Sequence, residues 1–230
     1  MFESKYSKVL TGILVVVIIG IIGLLGFLGY DYYQNYVITT DTSEFVDNFQ
    51  GEVAVDENSD DQDSNDANEG QETNTTNPLD EIKDANTTTN NGTTAKPTYK
   101  GFGVYGTIEI PAINLKYPVL EKVTKKSIET AVAFLYGAGL NQPGNSVIIG
   151  HNYRNGLFFS NLKKLNVGDK IYITDNSGTK MTYTIYNKFE ADQSDTSFYQ
   201  RDTAGKAELT LSTCTDASNN MRLIIFAKAD

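Results

Sequence analysis

Hydrophobic and polar positions divide the 230-residue chain into three stretches. From Val9 to Tyr30 there are 22 residues without a charge, dominated by Ile, Leu, Val and Gly. As a helix rising about 1.5 Å per residue this run spans roughly 33 Å, enough for a hydrocarbon core. A core helix of a soluble domain rarely stays apolar on every face for so long. A cleavable leader has a shorter apolar region and an Ala-x-Ala-like site, which does not follow this run. The pattern predicts an uncleaved signal anchor at 9–30. Lys5 and Lys8 precede the run and Asp31 follows it, which places 1–8 in the cytoplasm and the remainder outside the cell. Tyr30, Tyr32, Tyr33 and Tyr36 fall where amphipathic rings favour lipid headgroups.

Beyond the span the apolar pattern fades. Residues 31–98 hold 16 acids and 2 bases, while 99–230 hold 12 acids and 15 bases. The net charge of −10 therefore belongs to 31–98, and the part with folding potential is mildly basic. Stretches such as Asp56-Glu-Asn-Ser-Asp-Asp-Gln-Asp63 carry too little apolar surface to offset the entropy of ordering. Residues 31–98 are expected to form a flexible, disordered acidic linker rich in Asn and Thr. Asn74, Asn86 and Asn91 fit the Asn-x-Ser/Thr pattern, which arises by chance in such a tract.

From Tyr99 short apolar runs alternate with Gly, Asn, Asp and Pro. Strands are predicted at Thr107–Ile110, Asn145–Ile149, Lys170–Thr174, Met181–Asn187, Glu208–Ser212 and Leu223–Phe226. Asp175-Asn-Ser-Gly178 is a hairpin turn between two of them. Helices are predicted over about 126–134 and 157–165. No helix–strand alternation of parallel-sheet type is visible, and the fold class is mainly β: a closed β-barrel with short helices over 99–230.

Cys214, the only cysteine, ends the strand Thr210-Leu-Ser-Thr-Cys214 and directly precedes a polar loop. It has no intramolecular disulfide partner, so in an extracellular domain it is a thiol that needs a role. Such a cysteine is either an inert core residue or a nucleophile, and a strand end with solvent access favours the nucleophile. His151, the only histidine, also sits where a strand runs out, after Val147-Ile-Ile-Gly150. An imidazole with pKa near 6.5 exchanges protons with a thiol near neutral pH. Arg222 opens the last strand eight residues past Cys214, across a seven-residue connection. An antiparallel hairpin brings the two to one end, where a guanidinium suits a developing oxyanion.

Residues 103–228 resemble the sortases, membrane-anchored cysteine transpeptidases of Gram-positive cell surfaces. The resemblance is carried by Gly106-Thr-Ile-Glu-Ile-Pro-Ala-Ile113 with Tyr117-Pro-Val119, Gly150-His-Asn152, Phe159-Ser-Asn-Leu162 with Val167-Gly-Asp169, Thr210-Leu-Ser-Thr-Cys214 and Arg222. It implies the family's eight-stranded β-barrel, with Cys214 as nucleophile, His151 as general acid and base, and Arg222 as substrate or oxyanion stabiliser. Thr213, Ser212 and Asn152 are the implied substrate contacts. The implied reaction cleaves a Leu-Pro-x-Thr-Gly-like (LPxTG-like) sorting motif of surface proteins through a thioester. The acyl group then passes to an amine of a peptidoglycan precursor or another acceptor. A chain ending at Asp230 with no second span, and no Asp-Pro-aromatic lid motif before the domain, argue against a pilus-polymerising subgroup.

Three alternatives remain: a thiol peptide hydrolase on the same scaffold, a pilin-joining transpeptidase, and a non-enzymatic adhesion domain on a stalk. The last has no need of the Cys, His and Arg set. Residues 190–206 are expected to border the peptide groove. No cofactor is implied, since neither a phosphate loop nor a zinc cluster occurs, and the mild positive charge is no nucleic-acid signal. Glu109, Asp192 and Asp195 do not have the spacing of a calcium loop, so no metal site is expected.

Overall fold

The structure, a computed structural model, describes residues 5–56, 96–215 and 220–230. The Asn-x-Ser/Thr positions, most of the expected linker (57–95) and residues 216–219 after Cys214 lie outside the described residues. Helix α1 (Lys5–Asp56) is one continuous element of 52 residues. Strand β1 (Thr98–Tyr99) leads into β2 (Phe102–Ile110), β3 (Leu115–Leu120), helix α2 (Lys125–Thr130) and β4 (Val132–Tyr136). Strands β5 (Gly144–Ile149), β6 (Lys170–Asp175), β7 (Lys180–Asp192), β8 (Ala207–Cys214) and β9 (Met221–Ala229) complete the domain.

Pairing runs β2-β3-β4-β5-β8-β9-β7-β6, and β6 returns to β2 through Gly106↔Asp175 to Glu109↔Tyr172. Eight strands thus close a barrel, as the resemblance implies, and β1 adds a two-residue edge to β2. Closure removes sheet edges, and the inward side chains fill the interior. Ile108, Leu120, Ile148, Phe159, Ile171, Ile173, Tyr183 and Leu209 are among the fully buried side chains.

All six predicted strands form. The Asp175 turn forms as well, with Gly178 at φ 84° donating its N–H to Asp175 O at 3.1 Å. Two of the eight barrel strands escaped prediction, as did the two-residue β1. β3 contains Pro118, which has no N–H to give to a ladder. It is tolerated because β4 pairs only with Val119 and Leu120, leaving Pro118 without a ladder on that side. β4 is the second half of the helix expected at 126–134. The helical half is α2, capped by a reciprocal Thr124–Ser127 box. It ends where Val132 enters the barrel beside Val119. The β3–β4 and β5–β8 pairs are parallel, which the reading without helix–strand alternation did not foresee. The expected helix at 157–165 is a series of turns with a short 3-10 segment at Leu162–Lys164. Leu157, Phe158 and Phe159 are buried in succession, and Phe158 lies at φ 50°, outside helical space.

Residues 31–56, expected to belong to the linker, continue helix α1. Asn35, Ile38, Thr42, Phe45, Val46 and Phe49 follow the three- and four-residue spacing of one helix face and are turned toward the barrel. Thr42 and Val46 are fully buried, and Phe45 packs edge-on against Tyr99 at 5.0 Å. Asp41 accepts a hydrogen bond from Tyr99 at 2.9 Å and pairs with Lys100, while Asp47 pairs with Lys116. Averaged with the acidic tract beyond it, this stripe was invisible to composition. Within α1 the run from Leu10 is long and apolar enough to cross a membrane, and its large side chains are exposed.

Candidate functional site

The site grows from strand registry. β5 runs parallel to β8 with Ile149 beside Ser212, and Gly150 N–H continues the ladder to Ser212 O at 3.3 Å. His151 and Cys214 each lie two residues beyond that pair, so both emerge at the same rim. β9 returns antiparallel with Arg222 directly opposite Cys214. Adjacent strands lie about 4.8 Å apart. Three residues separated by 71 positions in sequence therefore occupy neighbouring strand ends. They line one cleft of about 340 Å³ together with Ser212, Thr213, Ile128 and Tyr199.

The backbone around the thiol is fastened on both sides. Thr213 Oγ1 donates to Gly150 O at 2.7 Å, and Asn152 Nδ2 donates to Cys214 O at 2.7 Å. The Asn152 Oδ1 accepts from Arg154 N–H at 3.1 Å. The side-chain polar atoms of Thr213 and Asn152 are thus engaged with the protein itself. Both tie the end of β5 to the end of β8. Ser212 is buried and contributes to the cleft wall. Cys214 is half-buried.

His151 is held by neighbours that sequence reading missed. Tyr153 stacks on its ring at 4.7 Å, and Phe158 meets Tyr153 edge-on at 5.6 Å. Burial lowers the proton affinity of the imidazole, and the negative charge of Glu129 on α2 raises it by less. Tyr153, two residues past His151, was within reach of a reading along the chain. Glu129 was not, because only the β3–α2–β4 crossover brings it there.

Gln193 and Tyr199, from the segment 190–206, also line the cleft. Arg201 fastens this segment. It pairs with Glu208, donates to Asn145 Oδ1 at 2.8 Å and lies 3.8 Å over the Phe226 ring. Asn145 Nδ2 in turn donates to the carbonyls of Phe198 and Tyr199. Of the acids weighed as metal ligands, Glu109 pairs with Lys180 at 2.9 Å, and Asp192 and Asp195 accept from Ser194 and Ser197. Among the described residues no three His, Cys, Asp or Glu side chains cluster as a metal site.

A model of the Sortase domain matches residues 108–230, more than half of the chain. Sortase A of Bacillus anthracis is 31% identical over 125 residues, covering 54% of this chain and 58% of that protein. Sortase A of Streptococcus agalactiae is 28% identical over 139 residues, covering 55% and 53%. The matches thus span little more than half the length of these relatives. Among solved structures, sortase A from Corynebacterium diphtheriae is similar at a TM-score of 0.52 and 30% identity, over 56% of this chain and 61% of that one. A Clostridium perfringens sortase D5 transpeptidase is similar at 0.51 and 29%, over 56% and 79%.

Proposed function

Since the chain belongs to the sortase family, we propose that it is a membrane-anchored cysteine transpeptidase. It would cleave an LPxTG-like sorting motif and join the acyl part to an amine of the cell wall. The observation that carries this reading is the cross-strand pair Cys214↔Arg222 beside His151 in one cleft. The Cys214 thiolate attacks the scissile carbonyl, a C–S bond forms, and the oxyanion is met by the Arg222 guanidinium. Protonated His151 gives its proton to the leaving amine as the C–N bond breaks. Neutral His151 then takes a proton from the incoming amine as it displaces sulfur from the thioester. Burial favours the neutral imidazole that this second step requires. Thr213 and Asn152 act as positioning residues through Gly150 and Cys214, and residues 190–206 set the motif preference.

The apolar part of α1 is the anchor, with 1–8 in the cytoplasm and 99–230 outside. The partners are surface proteins bearing the sorting motif and a peptidoglycan precursor or similar amine donor. Hydrolysis and pilin joining differ from this reaction only in the acceptor. The test supplies the full chain in detergent with an LPxTG-type peptide and either a glycine-based amine, a pilin-type lysine peptide or water alone. Amine-joined product exceeding hydrolysed peptide supports transpeptidation, and the better amine identifies the acceptor. Hydrolysis alone at saturating levels of both amines contradicts it.

A further inference from the structure

The continuity of α1 places the barrel. The charge-free run ends at Tyr30, yet the same helix continues and already touches the barrel at Asn35. Asn35 Nδ2 donates to Asn155 O at 3.4 Å, and Asn155 Nδ2 donates to Asn35 Oδ1 at 3.3 Å. Five residues of helix separate Tyr30 from Asn35, about 7.5 Å along the axis. The headgroup zone beyond the hydrocarbon core is about 5–7 Å deep on each side. Asn155 therefore lies at the outer margin of the headgroups. The following contacts of α1, with Tyr99 and Lys100 through Asp41 and with Lys116 through Asp47, are progressively further along the helix.

We infer that the loop Tyr153–Gly156 rests on the outer leaflet, with Tyr153 and Arg154 in the headgroup layer of an anionic bilayer. The chemistry of the loop fits that layer. Tyr153 is 47% exposed, and Tyr30, Tyr32, Tyr33 and Tyr36, which flank Asn35 in sequence on the helix, are exposed as well. Arg154 is exposed, and its cation suits lipid phosphates. Arg154 is held at φ 60° with its N–H bonded to Asn152, so the tip has a defined shape. Tyr153 also stacks on His151, so the rim of the cleft stands about one ring from the membrane surface. The enzyme works at the bilayer, on reactants whose reacting groups lie close to it.

This inference rests on the reading of α1 as a membrane anchor, and the two are tested separately. The chain contains no tryptophan, so Tyr153→Trp and Ile19→Trp each install a single reporter in the otherwise native full chain. Each is reconstituted into phosphatidylcholine vesicles with or without phosphatidylglycerol, carrying either a headgroup quencher or bromines deep in the acyl chains. The Tyr153→Trp emission is expected to be lost to the headgroup quencher, more so with phosphatidylglycerol. Adding Arg154→Glu is expected to reduce that loss. If Ile19→Trp is quenched by the deep bromines while Tyr153→Trp responds only to aqueous acrylamide, docking is overturned and the anchor stands. If Ile19→Trp escapes the deep bromines, the anchor reading fails and docking with it.

Discussion

His151 is the only imidazole of the chain, so its titration is readable as a single ring signal. Burial holds its pKa below 6.5, and Glu129 opposes that shift. Removing the opposing charge by Glu129→Gln is expected to move the titration, followed by NMR, further down. An unchanged midpoint would remove Glu129 from the site. The sign of the stability effect follows. Unfolded His binds its proton near pH 6.5 and folded His151 only at lower pH, so between these values the unfolded chain holds more protons. The contribution of His151 to stability is present above pH 6.5 and is lost as pH falls through the folded-state value. Gly150, before it, has no room for a side chain: an added Cβ would lie 2.9 Å from Val132 Cγ1 and 3.0 Å from the Phe159 ring. Gly150→Ala is expected to destabilise by about 1–3 kcal/mol in urea unfolding and to lower turnover by displacing His151. At this scale the sequence was informative about Cys214, His151 and Arg222, because each is unique or sits at a strand end. It singled out Asn152 through the resemblance but not its bond to the Cys214 carbonyl, and it missed Glu129, because these contacts are made across strands or from another element.

Among elements, the extension of α1 onto the barrel departs most from what composition suggests. Its apolar stripe is sparse and interleaved with Asp41, Glu44 and Asp47, and only the helical spacing of the buried positions reveals it. Val46 is fully buried against the barrel. Val46→Asp is expected to detach 35–49, seen as loss of amide protection there while the barrel strands stay protected. Unchanged protection would contradict the docking. A similar logic governs 193–206, which follows the end of β7 and is fastened by Arg201 rather than by regular structure. Arg201 is largely buried against Glu208, Asn145 and Phe226, so Arg201→Ala leaves the Glu208 carboxylate unpaired. A loss of about 3–5 kcal/mol in denaturant is expected. KM is expected to rise as Tyr199 and Gln193 loosen. The strands β3 and β4 were hidden for the opposite reason. Pro118 interrupts the pattern of β3, and the run of β4 was expected as the end of a helix over 126–134, until the barrel supplies each strand with partners on both sides.

For the whole molecule, the barrel topology performs the assembly. Closing eight strands with β5 and β8 parallel and β8 and β9 antiparallel leaves three strand ends at one rim, and the chemistry-bearing residues occupy those ends. The alternating runs made the barrel class legible, while the parallel pairs that align His151 with Cys214 needed the closed structure. One helix runs from the apolar run to the barrel, so in the proposed membrane-docked arrangement the cleft is held at a defined height. The central claim is that Cys214 is an acyl carrier. Intact mass of the full chain after mixing with an LPxTG-type peptide tests it most directly. The expected result is a hydroxylamine-labile adduct of the acyl fragment on Cys214, absent in Cys214→Ala and discharged by an added amine. A chain that acquires no adduct from any such peptide, with a thiol that alkylates no faster than a model cysteine, would contradict the account.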